Sequence, residues 1–270
     1  AGIETTVVAR KETARRIADQ GLTVDSAQFG RFHAEVATAT EVPPGSAVIL
    51  AVKAYGLADV LPGIVAAQPA EALSVLNGVA HADLLHAALE PGGTRVACGA
   101  IQVEASRLND GTISHRSSFC MVTGPEGTDQ WRAMRSLAAA GVRTRSRGTE
   151  AEVLWTKLRF LAPLALLTTV TDRPLGQALR QDPALTAALL DDVAALATAE
   201  GVPTTPDVLE DQLHRFDPSM HSSLQLDVRR GGPTELDAVG SHLLELAARH
   251  GIATPALARA VDTIGARLEG

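Results

Sequence analysis

The order of apolar and polar positions changes character part-way along the chain. In the first half, short apolar runs alternate with helical stretches. Residues 5–9 form a short apolar run that reads as a strand. Lys11–Gln20 has helical composition and stops at Gly21, a residue suited to a helix end. Residues 47–52, within Ser-Ala-Val-Ile-Leu-Ala-Val-Lys, are apolar without alternation, the pattern of a parallel strand covered on both faces. Residues 73–76 make another apolar run before Asn77-Gly78, and residues 94–100 follow the Pro91-Gly92-Gly93 turn as a further strand. Alternating strands and helices predict a mostly parallel sheet with covering helices.

From about Thr149 the pattern is helical only. Asp182-Pro183 opens one helix, with Asp as N-cap and Pro at the first helical position. Leu185, Leu189, Val193 and Leu196 form its buried stripe, and Gly201 closes it. Pro233-Thr234-Glu235 opens another helix running to His250, and the last begins near Pro255. The expected division is an α/β domain over residues 1–147 and an all-α domain over residues 148–270, with the boundary near Arg147-Gly148.

One position breaks the helical pattern. At helical spacing, Val153, Lys157 and Leu161 share a stripe, so an ammonium leaves the helix on its apolar side. A buried unpaired ammonium is costly. Spacing alone leaves two readings open: a lysine that snorkels or pairs as plain structure, or a desolvated lysine that donates a proton or binds an anion.

Composition narrows the classes. The 270 residues are 46% hydrophobic and 20% charged, a globular composition with room for two domains. Aromatics are only 3%, so the core must be built from Ala, Leu and Val. With net charge -7 and no stretch combining Lys and Arg with aromatics, nucleic acid is not expected as a partner. No apolar run reads as membrane-spanning, no signal peptide is expected, and a reduced, cytoplasmic protein fits Cys98 and Cys120, which lack ligand spacing. The eight histidines form no ligand pattern, so no metal site is expected.

Five segments then fall in register: Val-Val-Ala-Arg10; Leu-Ala-Val-Lys53-Ala-Tyr; Leu-Asn77-Gly78-Val; Lys157-Leu with the following Leu-Thr-Thr-Val-Thr-Asp-Arg-Pro; and Ser222-Ser223-Leu-Gln-Leu-Asp227 with Arg229-Arg230-Gly-Gly-Pro-Thr-Glu235-Leu-Asp237. Together they resemble the ketopantoate reductases, or 2-dehydropantoate 2-reductases, over nearly the whole chain. The resemblance implies a Rossmann-type N-terminal domain that binds NADPH and an all-α C-terminal domain that completes the site for a small-molecule substrate. A homodimer is compatible with it. Lys157 matches the family's proton-donating lysine and Glu235 its glutamate. Ser223 matches the serine that holds substrate, and Asn77 the asparagine beside nicotinamide and lysine. Arg10 matches the arginine on the cofactor 2′-phosphate, and Lys53 a second cofactor contact. Taken singly, Arg10 and Lys53 are ordinary loop cations and Asn77-Gly78 a turn. Glu235 alone favours a helix N-terminus, and Asp227, Arg229 and Arg230 read as a solvated or ion-paired face.

Three departures qualify the resemblance. The sequence has no Gly-x-Gly-x-x-Gly, the loop that holds pyrophosphate. Ala1-Gly2 matches the end of the family's first helix, so the first strand, the loop and most of that helix have no counterpart. A shortened chain and a protein without that half of the cradle are both open. The asparagines four and eight residues after the family lysine are here Leu161 and Ala165, which points to a larger or more apolar substrate. The family's Asn-Gly after the glutamate stretch is Val239-Gly240-Ser241. The main expectation is an NADPH-dependent reductase of a 2-keto acid or related carbonyl. Loss of the loop and both asparagines motivates an alternative, a non-redox acid–base cyclase or isomerase on the same fold. A non-catalytic binding protein is the third reading, opposed by the retained Lys157, Ser223 and Glu235.

Overall fold

The computed structural model describes residues 2–269. Two compact units are formed. The first runs to Val52 and includes Leu57–Leu76 and Ala82–Glu150; the second takes Lys53–Gly56, Asn77–His81 and the chain from Ala151 onward. The short segments around Lys53 and Asn77 therefore belong with the later, helical part of the chain.

The first unit holds β1 (Thr6–Val8), α1 (Lys11–Gln20), β2 (Leu22–Ser26), β3 (Gly30–Ala34), β4 (Ala37–Ala39), β5 (Ala47–Leu50), α2 (Leu57–Ala67) and β6 (Glu71–Ser74). There follow α3 (His81–Leu89), whose first residue belongs to the second unit, β7 (Arg95–Cys98), β8 (Ala100–Gln102), β9 (Ala105–Arg107), β10 (Ile113–His115), β11 (Met121–Gly124), α4 (Arg132–Ala139) and β12 (Arg143–Ser146). β5, β6 and β7 pair in parallel in that order, and β1 pairs in parallel with β4. The rest of the sheet structure is mixed. β11 lies parallel to β12 and antiparallel to β8; β2 lies parallel to β10, with β3 and β9 antiparallel on the outside.

This Rossmann-like unit corrects two expectations. Its strand pairings are mostly parallel, as expected, with antiparallel additions such as the β2–β3 hairpin that leave little apolar signal: β3 is exposed along nearly its whole length. The run at 47–52 forms β5 only to Leu50 and is not covered on both faces; it is an edge strand with Ile49 39% exposed. The doubly covered strand is the central β6, all four residues of which are buried. The strand expected at 94–100 breaks at Gly99, where a Cβ would come 2.7 Å from the Thr123 carbonyl oxygen. β6 carries a buried carboxylate, Glu71, which accepts from the Arg132 and Ala133 amides at the start of α4 and from the Arg95 guanidinium. A carboxylate at a helix N-terminus with an arginine beside it has its charge answered, so it can stand in an apolar strand.

The second unit is all helical apart from its two inserted segments. It contains most of α5 (Glu150–Thr171), then α6 (Leu175–Gln181), α7 (Pro183–Ala199), α8 (Pro206–His214), α9 (Ser223–Arg229), a π-helical stretch Asp237–Ser241, α10 (His242–His250) and α11 (Pro255–Glu269). Asp182 caps α7 by accepting the Leu185 amide at 3.0 Å, and Leu185, Leu189, Val193 and Leu196 are buried as their spacing predicts. The helix expected from Pro233 starts at Leu236, with the Glu235 carbonyl accepting the Ala238 and Val239 amides ahead of it, and the turn that follows is π-helical. One apolar core of Leu, Ala and Val runs through α5, α7, α10 and α11. α5 is 22 residues long with mean hydropathy 1.4 in its most apolar window, so an apolar run of spanning length does exist, contrary to the sequence expectation. Because 72% of that window is buried within the protein, α5 reads as the core helix of this unit.

Candidate active site

All the groups of the candidate site lie in the second unit. Residues 53–56 and 77–81 bring two loop segments to it, α5 brings Lys157, and the stretch from α9 to the π-helix brings Asp227 and Glu235. Gly78 makes the second loop possible. It has φ +83°, and a Cβ there would lie 2.6 Å from the carbonyl oxygen of Ala238 in the π-helical stretch. Only glycine meets both the backbone angle and the close approach.

Glu235 is the hub. It is 5% exposed, and three donors hold its carboxylate. The Ala54 amide reaches Oε1 at 3.1 Å, while Lys53 Nζ and Asn77 Nδ2 reach Oε2 at 3.0 and 3.1 Å. Asn77 then accepts from Lys157 Nζ through Oδ1 at 2.7 Å. The amide can face only one way. Its oxygen must meet the ammonium, which only donates, and its nitrogen must meet the carboxylate, which only accepts. Lys53 also donates to Asp227 Oδ2 at 3.2 Å, and Arg230 flanks Asp227 at 3.7 Å.

The two lysines are treated differently. Burial lowers the pKa of Lys53, but direct bonds to Glu235 and Asp227 outweigh it and hold the ammonium above its ordinary value. Lys157 is mostly buried and hydrogen-bonds a neutral amide. Burial brings its pKa down to about 8, opposed by the more distant charge of Glu235. One lysine is locked in its charged form; the other is poised near neutral pH. His81, four residues after Asn77, is 4% exposed with neither ring nitrogen hydrogen-bonded. Burial, and secondarily Lys157, push its pKa down to about 4.

The chain matches two family models. Residues 1–126 match ketopantoate reductase PanE/ApbA, and residues 151–268 match the ketopantoate reductase PanE/ApbA C-terminal region. A Bacillus subtilis (strain 168) protein described as the uncharacterized oxidoreductase YkpB is 30% identical, covering 99% of this chain and 91% of its own. The chain belongs to the ketopantoate reductase family. It is an oxidoreductase of that kind. Solved structures share the fold. A PanE/ApbA family ketopantoate reductase from Ralstonia eutropha JMP134 has a TM-score of 0.88 at 23% identity, covering 99% of this chain and 91% of that one. D-mandelate dehydrogenase with NADH and anilino(oxo)acetate has a TM-score of 0.84 at 18% identity, over 99% and 92%.

Of the residues singled out by sequence, the structure joins Lys157, Asn77, Glu235 and Lys53 in one hydrogen-bonded chain. Lys53 is engaged by two carboxylates within it. Ser223 stands exposed at the start of α9 and takes no part in that chain. Its neighbour Ser222 caps α9 through the Gln225 amide and bonds Thr168 of α5 at 2.7 Å. Leu161 is half-buried against the helical core, and Ala165 is 3% exposed inside it. Arg10 belongs to the other unit, at the N-cap of α1 directly after β1. Its exposed side chain lies 3.8 Å from an exposed Asp59. Sequence reasoning did not single out His81; Asp227, read as part of a solvated or ion-paired face, is ion-paired, with Lys53 and Arg230.

Proposed function

We propose that the protein is an NADPH-dependent reductase of 2-keto acids, with Lys157 as the general acid. The observation that carries this reading is a mostly buried ammonium, hydrogen-bonded to a neutral amide and poised near pH 8. A general acid works best with a pKa near the working pH. Lys157 is charged at pH 7 and can release its proton without a large penalty. A cation in that place also stabilises the oxyanion that develops on a reacting carbonyl.

The remaining roles follow from what each group can do. Asn77 fixes the direction of the Lys157 ammonium, Glu235 fixes Asn77, and Lys53 and Asp227 neutralise and anchor Glu235. Glu235 is thus a positioning residue in this reading, with its carboxylate fully engaged by donors. The first unit is proposed as the cofactor-binding part. Arg10 suits a 2′-phosphate: it follows a parallel strand and its guanidinium fork is exposed, with one loose ion pair to give up. When bound, the nicotinamide supplies the hydride. Lys157 supplies the proton to the carbonyl oxygen and is recharged from water.

The substrate is proposed to be a 2-keto acid bearing a larger apolar group than ketopantoate. Leu161 offers apolar surface four residues beyond Lys157, where the family carries a hydrogen-bonding asparagine. The dehydrogenase of the same fold that binds anilino(oxo)acetate supports this class. The test is steady-state reduction of a panel of 2-keto acids with NADPH across pH. Reduction is expected to fall with loss of one proton above about pH 8, and oxidation of the product hydroxy acid to rise over the same range. Turnover of any substrate without a nicotinamide cofactor would favour the acid–base alternative. A reduction rate flat through pH 8 to 10 would remove Lys157 from the acid role.

A further inference from the structure

Three side chains of the first unit, none used above, converge where α3, the end of β7 and the first residue of α5 meet. A ring nitrogen of His86, the sulfur of Cys98 and a carboxylate oxygen of Glu150 all lie within 4.8 Å of one another. Around a tetrahedral zinc ion, ligands at about 2.0–2.3 Å stand about 3.3–3.8 Å apart. The observed group closes on one ion with shifts of about 1 Å or less: separations of up to 4.8 Å contract, and the 2.9 Å between His86 Nε2 and Glu150 Oε1 opens.

The surroundings are already arranged for this. Glu90 Oε1 lies 2.7 Å from Nδ1 of His86, while Nε2 faces Glu150 Oε1 at 2.9 Å. A carboxylate behind a histidine fixes its tautomer and ring orientation in metal sites and raises its basicity toward the ion. Both ring nitrogens face carboxylates, so a cation bound at Nε2 would take the place of the proton there. The other oxygen of Glu150 accepts the Cys98 backbone amide at 2.6 Å, which aims Oε1 at the histidine. Cys98 is fully buried and forms no disulfide. Its sulfur thus sits beside a carboxylate, where a bound cation would take the place of the thiol proton. His86 and Glu150 remain partly exposed, which leaves an entry path and room for a water as fourth ligand.

We propose that His86, Cys98 and Glu150 bind one zinc-class divalent ion, with Glu90 as the residue that orients His86. Nitrogen, sulfur and oxygen together select zinc or cobalt over magnesium or calcium. Binding releases the thiol proton and the proton shared by His86 to solvent; no redox change is involved. The ion would tie helix α3, strand β7 and the start of α5 together, a structural role within one unit.

The experiment is titration of the full-length, chelator-treated protein with Co²⁺, followed by displacement with Zn²⁺. Expected are one equivalent bound, visible bands of tetrahedral intensity and a near-ultraviolet thiolate-to-cobalt band that zinc removes. Cys98→Ser should abolish the near-ultraviolet band, and Cys120→Ser should leave it. His86→Gln should weaken binding at least 100-fold, and Glu90→Gln about 10–100-fold. Cobalt binding without a thiolate band, or a band that survives in Cys98→Ser, would overturn the proposal. Should Cys98→Ser fold poorly, His86→Gln decides instead, since its partly exposed side chain can be changed with little loss of packing. Unchanged cobalt affinity in that variant would equally overturn it.

Discussion

The candidate site of the helical unit and Arg10 of the sheet unit hold their charges in opposite surroundings. In the helical unit the ionised side chains of the candidate site are sunk beside a continuous apolar core and tied in one chain, from Lys157 through Asn77 to Glu235, Lys53 and Asp227. In the sheet unit the strands are short, one core cluster is a small group around Leu73, Val122 and Met134, and Arg10 stands in solvent with one loose partner. Burial perturbs a pKa and suits a group for proton transfer; exposure leaves a guanidinium free for an anionic ligand. On this view the helical unit supplies reactivity and the sheet unit supplies recognition, and substitutions in the two should fail in different ways.

The largest expected effect is on the helical side. Lys157→Ala should lower kcat about 1,000-fold, the range of a lost general acid, while leaving NADPH binding intact by calorimetry. Equal loss of cofactor affinity would erase the contrast. Next comes the effect of acid on stability. His81 takes a proton at about 4 in the folded protein against 6.5 in the unfolded chain, so the unfolded state binds more protons as pH falls below 6.5. Unfolding by denaturant should therefore show stability dropping by about 3 kcal/mol between pH 6.5 and 4. His81→Leu should flatten that limb, and an unaltered limb would put the acid sensitivity elsewhere.

Gly78→Ala comes third. It forces a Cβ toward the Ala238 carbonyl at an unfavourable φ, and should cost about 1–3 kcal/mol, read as a lower Tm. Its kcat should fall along with it, because Asn77 is the adjacent residue; full activity would mean the loop tolerates movement. The smallest effect belongs to the sheet unit. Arg10→Ala should raise KM for NADPH about 10-fold and leave kcat and the KM for NADH unchanged. A change with NADH of the same size would show that the guanidinium does not read the 2′-phosphate.

Legibility in the sequence followed the same division. Helices with strong signals at their ends were readable: Asp182-Pro183 capped α7, Gly251 closed α10 in a left-handed turn, and α1 occupied Lys11–Gln20. The hairpins of the sheet unit were not, because β3 buries almost nothing and leaves no alternation to read. The π-helical stretch after Leu236 was invisible because it depends on tertiary packing: Gly240 lets Val261 approach, with room for no Cβ. Within the site, Lys157 announced itself by breaking an apolar stripe. Asp227 did not, since its partner Lys53 is 174 residues away along the chain and no spacing rule connects them. Ser222 proved to be the buried cap of α9, a role the sequence had given to neither serine, because adjacent serines carry the same signal until the helix start is fixed.

The Asn77 amide has one further consequence. With its oxygen committed to an ammonium and its nitrogen to a carboxylate, it can neither turn over nor hand on a proton, since an amide nitrogen at neutral pH is no proton carrier. It is an insulator and not a wire. Glu235 governs where Lys157 stands while being barred from exchanging protons with it through Asn77, so in the proposed reaction the lysine is recharged by a route other than Asn77.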